Sequence, residues 1–293
     1  MTKRIWTLPL LAVVLIALGS GSSFAIPSLG GPTGVVATPT AMVAPVGDVQ
    51  AAISYQSLQD GGILASDSSA DLTVWGLQAL AGVSDKAELW AAYGRLSDGE
   101  DSHMWGIGGK LQLTKEPQDD ATLAIGASWG ILQDIVVSSS MYDEDLQEWV
   151  GEDIATDLTA KTLYLVATKD LTPVGGQGWE WGPGGGTKML GSLGLMYISL
   201  DPDLAGLESE SLTRPFVNME FIGAGGTTLG LEYRWKDDTM DMKAVFSAVL
   251  RHPFSDQVTA EIGTTNASPG GLGMDGQDWF VRLGMNLPLG GGG

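Results

Sequence analysis

Side chains able to do chemistry are few in this chain and badly spaced for it. Its 293 residues include two histidines, His103 and His252, and no cysteine. Neither histidine belongs to an H-E-x-x-H pair, so no zinc hydrolase ligand set is visible. The lack of cysteine excludes a thiol nucleophile, a thiolate metal site, a disulfide framework and a lipid-modified N-terminal cysteine. No G-x-S-x-G elbow is present. Gly271 to Gly276 satisfies G-x-G-x-x-G, yet it joins two predicted strands instead of opening a helix, which argues against a dinucleotide site. Gly182 to Lys188 lacks the Gly-Lys-Ser/Thr order of a phosphate loop and reads as a turn. The expectation is a protein that is not an enzyme and carries no cofactor or metal centre.

Carboxylates are plentiful, with 35 acidic against 15 basic residues and a net charge of −20. Nucleic acid is thereby excluded as a partner, because phosphate binding needs a basic face. What the acids do depends on where the elements of the fold place them.

Lys3 and Arg4 precede an apolar run from Leu8 to Leu18, and Ser23 and Ala25 supply small residues at the −3 and −1 positions of a cleavage site. Residues 1–25 are expected to be a secretory signal peptide. Beyond them no apolar stretch reaches the ~18 residues of a transmembrane helix. Hydrophobicity instead alternates with period two, as in half-buried strands. Leu229, Leu231, Tyr233 and Trp235 oppose Gly230, Glu232, Arg234 and Lys236, and Trp279, Val281, Leu283, Met285 and Leu287 oppose Asp278, Phe280, Arg282, Gly284 and Asn286. Segments of this kind recur from residue 48 to residue 289, giving about 12 strands. The ambiguous 170–188 connection widens the range to 10–14.

An even number of ten-residue alternating strands fits an antiparallel transmembrane β-barrel, which must close because an open sheet edge in lipid would leave backbone groups unpaired. The polar face then lines the lumen, with Glu88, Lys110, Lys161, Glu220, Glu232, Arg234, Lys243, Glu261 and Arg282 as candidates. Trp75, Tyr93, Trp129, Tyr233, Trp235 and Trp279 end the apolar face and form a candidate interfacial girdle against the outer-membrane lipid. A soluble β-sandwich is the competing architecture, since its strands alternate too. The 42 glycines lack a Gly-X-Y period, which excludes collagen and asks for tight turns and close backbone contacts.

Most acids fall on the predicted outer loops, among them 201–213, which precedes a strand near 216–222, and above all 133–157. Asp143, Glu144, Asp145, Glu148, Glu152 and Asp153 would make an acidic outer mouth. Such a mouth either solvates the rim or attracts divalent cations and surface polysaccharide.

Gly31-Pro32-Thr33-Gly34 is followed by Thr38-Pro39-Thr40-Ala41 and then by Pro45-Val46-Gly47-Asp48, which leads into the first strand. With Gly82 to Leu89, Tyr164 to Leu171 and Leu229 to Tyr233, this resembles the exopolysaccharide-associated outer-membrane barrel family, the YjbH-like group. The resemblance implies an outer-membrane barrel linked to secretion or assembly of surface polysaccharide. Pro39 excludes its segment from a central strand, so residues 26–46 are either a luminal plug or a periplasmic lead-in. Trp279 to Leu289 carries the alternation that barrel-insertion machinery would read, and 290–293 is a glycine tail.

Residues 47–289 are therefore expected to form a barrel in the bacterial outer membrane, acting as a passive pore or as a component of surface polysaccharide export or assembly. The alternatives are a non-conducting structural barrel and a soluble secreted carbohydrate-binding sandwich.

Overall fold

The computed structural model describes residues 34–58, 72–97, 102–115, 120–143, 148–172, 188–203, 209–223, 225–237, 243–267 and 273–288. The expected signal peptide, residues 26–33 and the glycine tail lie outside them. Twelve strands form one sheet: β1 (Asp48–Leu58), β2 (Leu72–Ser84), β3 (Ala87–Ser97), β4 (His103–Gln112), β5 (Thr122–Asp143), β6 (Glu148–Asp170), β7 (Lys188–Pro202), β8 (Glu210–Ile222), β9 (Thr228–Arg234), β10 (Val245–Pro253), β11 (Val258–Ala267) and β12 (Gly273–Pro288). Each pairs antiparallel with its sequence neighbour, and β1 pairs with β12 from Asp48 opposite Pro288 to Ser57 opposite Trp279, so the barrel is closed. One closed sheet excludes the two-sheet sandwich.

Alternation then separates two faces along every strand. Outward side chains include Ile53, Leu77, Leu89, Ile107, Leu163, Leu165, Leu193, Leu195, Leu283 and Met285, all exposed. Inward ones include Gln50, Ser54, Gln56, Gln78, Glu88, Lys110, Asn218, Glu232, Ser247, Glu261 and Arg282, all buried. A polar interior inside an apolar wall is the inverse of a water-soluble protein, and it suits a wall whose solvent is hydrocarbon.

The shortest connections lie at one end. Asp85 and Lys86 join β2 to β3, and residues 254–257 join β10 to β11, at the end where the chain enters β1; we call this the short-turn end. The same end also carries the longest connection, residues 171–187 between β6 and β7, while the opposite end carries residues 59–71 and 235–244 among others.

Three expectations are corrected here. The region 133–157 is not a loop, because β5 and β6 stay paired out to Asp143 opposite Glu148, so the hairpin projects past the other strands. A register shift between Leu132 and Ile135 allows this, with Asp134 at φ 56° and its N–H donated to the Asp157 carboxylate at 3.0 Å. Such a bulge bends and twists a ribbon without ending it, and Asp tolerates the left-handed conformation better than most side chains. The acidic-mouth residues Asp143, Glu148, Glu152 and Asp153 thus lie on strands, while Glu144 and Asp145 fall outside the described residues. Next, β8 begins at Glu210, well before the alternation becomes clear at Phe216. Finally, β12 begins at Gly273, so most of the G-x-G-x-x-G stretch is strand backbone.

Candidate functional site

Residues 34–45 lie inside the barrel. The chain leaves β1 at the short-turn end, where Asp48 N–H donates to the Pro45 carbonyl at 3.2 Å and Gly47 N–H to the Gly82 carbonyl at 3.1 Å. Gly82 is required there, because a Cβ would collide with the Pro45 and Ala44 carbonyl oxygens of the inserted segment. From that point the segment follows the inner wall as a belt. Val35, Val36, Thr38, Thr40, Ala41 and Ala44 are all buried.

The wall binds the belt strand by strand. On β3, Glu88 accepts the Ala44 N–H at 2.9 Å. On β4, Lys110 donates to the Thr40 carbonyl at 3.0 Å and Gln112 to the Ala41 carbonyl at 3.1 Å. On β6, Thr168 Oγ1 accepts the Ala41 N–H at 2.8 Å. Asn218 of β8 donates to the Pro39 carbonyl and to Thr38 Oγ1, at 3.2 and 3.1 Å. Arg234 of β9 donates to the Ala37 carbonyl at 3.1 Å, and Arg251 of β10 to the Gly34 carbonyl at 3.2 Å.

Glu232 of β9 is the densest contact. Its carboxylate accepts the N–H groups of Val36, Ala37 and Thr38, each at 3.0 Å, and the Thr38 hydroxyl at 2.8 Å. Ser247 of β10 donates to the same carboxylate at 2.8 Å. The belt supplies these donors from a turn closed by Val35 N–H on the Thr38 carbonyl at 3.1 Å. Successive N–H groups converging on one anion form a nest, a strong arrangement away from water.

The charged side chains of the wall also hold one another. Lys110 lies 3.0 Å from Glu88, both side chains at 0% exposure. Arg251 Nε meets Glu261 at 2.5 Å and its Nη1 meets Glu220 at 3.4 Å, while Arg282 closes on the other oxygen of Glu261. A buried carboxylate between two guanidinium groups is compensated, which an isolated buried charge would not be.

Of the nine expected luminal residues, Glu88, Lys110, Glu220, Glu232, Arg234, Glu261 and Arg282 face inward and are brought together at this depth. Lys161 is a correction: it sits on the outward face of β6 with Leu163 and Leu165, half exposed, and its ammonium pairs with Asp201 at 2.8 Å. Lys243 is another, since it precedes β10 as an exposed residue and offers its carbonyl to Arg214. Arg251, Asn218, Thr168 and Gln112 bind the belt and were not singled out from sequence. Their inward phase was readable, but their ligand is a main chain.

Apolar side chains complete the filling. Val35 and Val36 pack with Val249 and Phe280, and Ala44 packs with Leu80 and Trp90. Ala41 joins a luminal cluster of Tyr164, Val166, Met196, Ile198, Leu212 and Phe216.

The expected girdle lies on the outward face. Trp75, Tyr93, Tyr233 and Trp279 are exposed in the half of their strands farther from the short-turn end, Trp235 is exposed just past the end of β9, and Trp129, partly exposed, pairs with Ile107 of β4. They meet other rings there: Tyr55 contacts Trp75 and Trp279 at 4.8 and 5.3 Å, Trp105 contacts Trp129 at 4.7 Å and Tyr233 contacts Trp235 at 5.0 Å between centroids. The two imidazoles are at opposite ends of the barrel. His103 bonds Tyr93 at the start of β4, and His252 bonds Thr227 near the end of β10.

No protein-family model matches the chain, and no curated protein sequence matches it. Among solved structures, the translocator domain of the autotransporter NalP from Neisseria meningitidis is similar with a TM-score of 0.51 and 13% identity, over 83% of this chain and 88% of that one. KdgM porin in complex with disordered oligogalacturonate gives 0.48 and 10% identity over 80% and 97% of the two chains. Omp33 of Acinetobacter baumannii gives 0.39 and 8% over 83% and 100%. The chain has the fold of an outer-membrane β-barrel. With its apolar exterior it sits in the lipid of the bacterial outer membrane.

Proposed function

We propose that this barrel is a conduit of the outer membrane held closed at rest by residues 34–45, and that it serves the export or assembly of surface polysaccharide. The observation that carries the closure is the belt itself. Twelve strands enclose an interior wide enough to pass solutes only if nothing fills it, and here a peptide segment and its ligands occupy the half nearer the short-turn end, which this reading turns toward the periplasm. The polymer rests on the resemblance of the Thr38-Pro39-Thr40-Ala41 region and its companions to the exopolysaccharide-associated barrels. Surface polysaccharide and divalent cations at the acidic outer hairpin, and barrel-insertion machinery reading β12, are the partners this role would require. The role assigns no catalysis to the chain.

Planar-bilayer conductance tests it. The wild-type chain is expected to conduct poorly, and deletion of residues 34–45 to raise conductance severalfold. An open wild-type pore would overturn the closure.

The luminal apolar cluster around Tyr164, Met196 and Phe216 favours a second reading, a structural barrel with a packed lumen. That reading expects the deletion variant to stay closed as well.

A further inference from the structure

Nearly every polar contact to the belt is made to its main chain. Glu232 and Glu88 take backbone N–H groups of Val36, Ala37, Thr38 and Ala44, while Lys110, Gln112, Asn218, Arg234 and Arg251 donate to backbone carbonyls. Apart from the small Ala41 and Ala44, which pack into luminal clusters, side-chain identity in the belt enters at two places. The Thr38 hydroxyl donates to Glu232 and accepts from Asn218, and Val35 and Val36 fill the apolar seat made by Val249 and Phe280. Gly230 leaves room for that seat, because a Cβ there would press on the Val35 and Val249 side chains.

This is how peptide receptors work: main-chain hydrogen bonds supply affinity, and a few pockets supply specificity. Donors and acceptors on the wall alternate to suit an extended peptide that makes one tight turn. None of these contacts depends on the covalent link through Pro45 to β1. The link contributes only effective concentration, on the order of millimolar for a short tether.

We propose that the inner wall is a peptide-binding site, whose ligand is an extended segment with a Gly-x-x-x-Thr-Pro turn and whose tethered occupant is residues 34–45. The same segment presented by a separate chain can then replace it. The proposal rests on the reading of the belt as a displaceable closure. Glu232 is the principal recognition residue, because it alone binds three consecutive N–H groups and the turn hydroxyl.

The test uses the full chain refolded in lipid vesicles and a dye-labelled synthetic peptide with the sequence of residues 34–45. Two substitutions weaken the belt and leave the wall untouched: Ala37→Pro, which removes an N–H bonded to both oxygens of Glu232, and Thr38→Ala. Each is expected to capture the peptide at least about tenfold more tightly than the wild type, whose tethered segment competes. Adding Glu232→Gln should return capture to the wild-type level, and a scrambled peptide should not be captured. Equal capture of the scrambled peptide, or no gain in either belt variant, overturns the proposal. Conductance measured in parallel separates the two ideas. Variants that bind peptide but conduct no more than wild type retain the site and refute closure, whereas variants that conduct but bind nothing do the reverse.

Discussion

Tyr164 on β6 pairs directly with Gly126 on β5, and its ring lies over the glycine inside the lumen, where a Cβ would overlap it. The same relationship joins Trp90 to Gly108, Phe216 to Gly194 and Phe280 to Gly263, each across a single strand pair. Four inward aromatics are thus seated on four strand glycines. A large ring covering a neighbouring glycine shields exposed backbone and pins register. Among the described residues, many glycines therefore belong to strands and not to turns.

The first prediction concerns that seat. Gly126→Ala should cost about 1–3 kcal/mol through overpacking, read as a lower urea midpoint for the vesicle-inserted protein. Tyr164→Ala should cost about 3–5 kcal/mol through the cavity it leaves. The double variant should lose less than the sum, by roughly 0.5–3 kcal/mol, because the collision is gone. Strict additivity would show that the ring does not rest on the glycine.

Lys110 and Lys161 make opposite predictions although both are lysines on strands. Lys110→Met strips the ammonium from a fully buried Glu88 and should destabilise the barrel by about 3–5 kcal/mol. Lys161→Met removes an exposed pair with Asp201 and should change stability by about 1 kcal/mol or less. Urea midpoints of the two variants, measured side by side, check the assignment; similar losses would contradict it.

These residues also show what the sequence discloses. Leu229 to Trp235 alternates cleanly because every second side chain meets lipid, and β9 is legible from that alone. Lys161 was misplaced because Thr159 and Thr162 are polar in both phases, so nothing nearby fixes which face is inward. The 133–157 hairpin was hidden by its acids: Glu152 and Asp153 look like loop residues but pair with Ser139 and Ser138. A luminal plug was one of the two readings open for residues 26–46, but the contacts of the belt were out of reach for a different reason. Its ligands bind main-chain atoms, which leave no side-chain pattern in residues 34–45, and the aromatic–glycine seats exist only once register brings Gly126 opposite Tyr164.

The outer wall yields a third prediction. Leu193 is 61% exposed near the middle of β7, among the most exposed of the large apolar side chains described. On a soluble protein an exposed leucine tolerates arginine within about 0.5 kcal/mol. Facing hydrocarbon at mid-depth, Leu193→Arg should cost about 2–4 kcal/mol and reduce the fraction reaching the folded, heat-modifiable form in vesicles. Unchanged insertion would mean that this face does not meet lipid.

The last prediction isolates the belt from the barrel. In the wild type the N–H groups of Val36, Ala37 and Thr38 are bonded to one buried carboxylate, so their exchange with deuterium requires the belt to leave Glu232. Glu232→Ala removes that acceptor. Hydrogen bonds to a charged group contribute about 1.5–3 kcal/mol each, so even one lost in full lowers the opening free energy enough to speed exchange roughly 10- to 100-fold. Strand amides of β6 and β7, bonded to each other and not to the belt, should keep their wild-type protection. Exchange read by mass spectrometry on a peptide spanning residues 34–41 checks this. Acceleration confined to that peptide identifies a belt held by its wall contacts and released independently of the barrel. Acceleration spread through β6 and β7 would instead make residues 34–45 part of the barrel's cooperative core, and a segment of that kind cannot be exchanged.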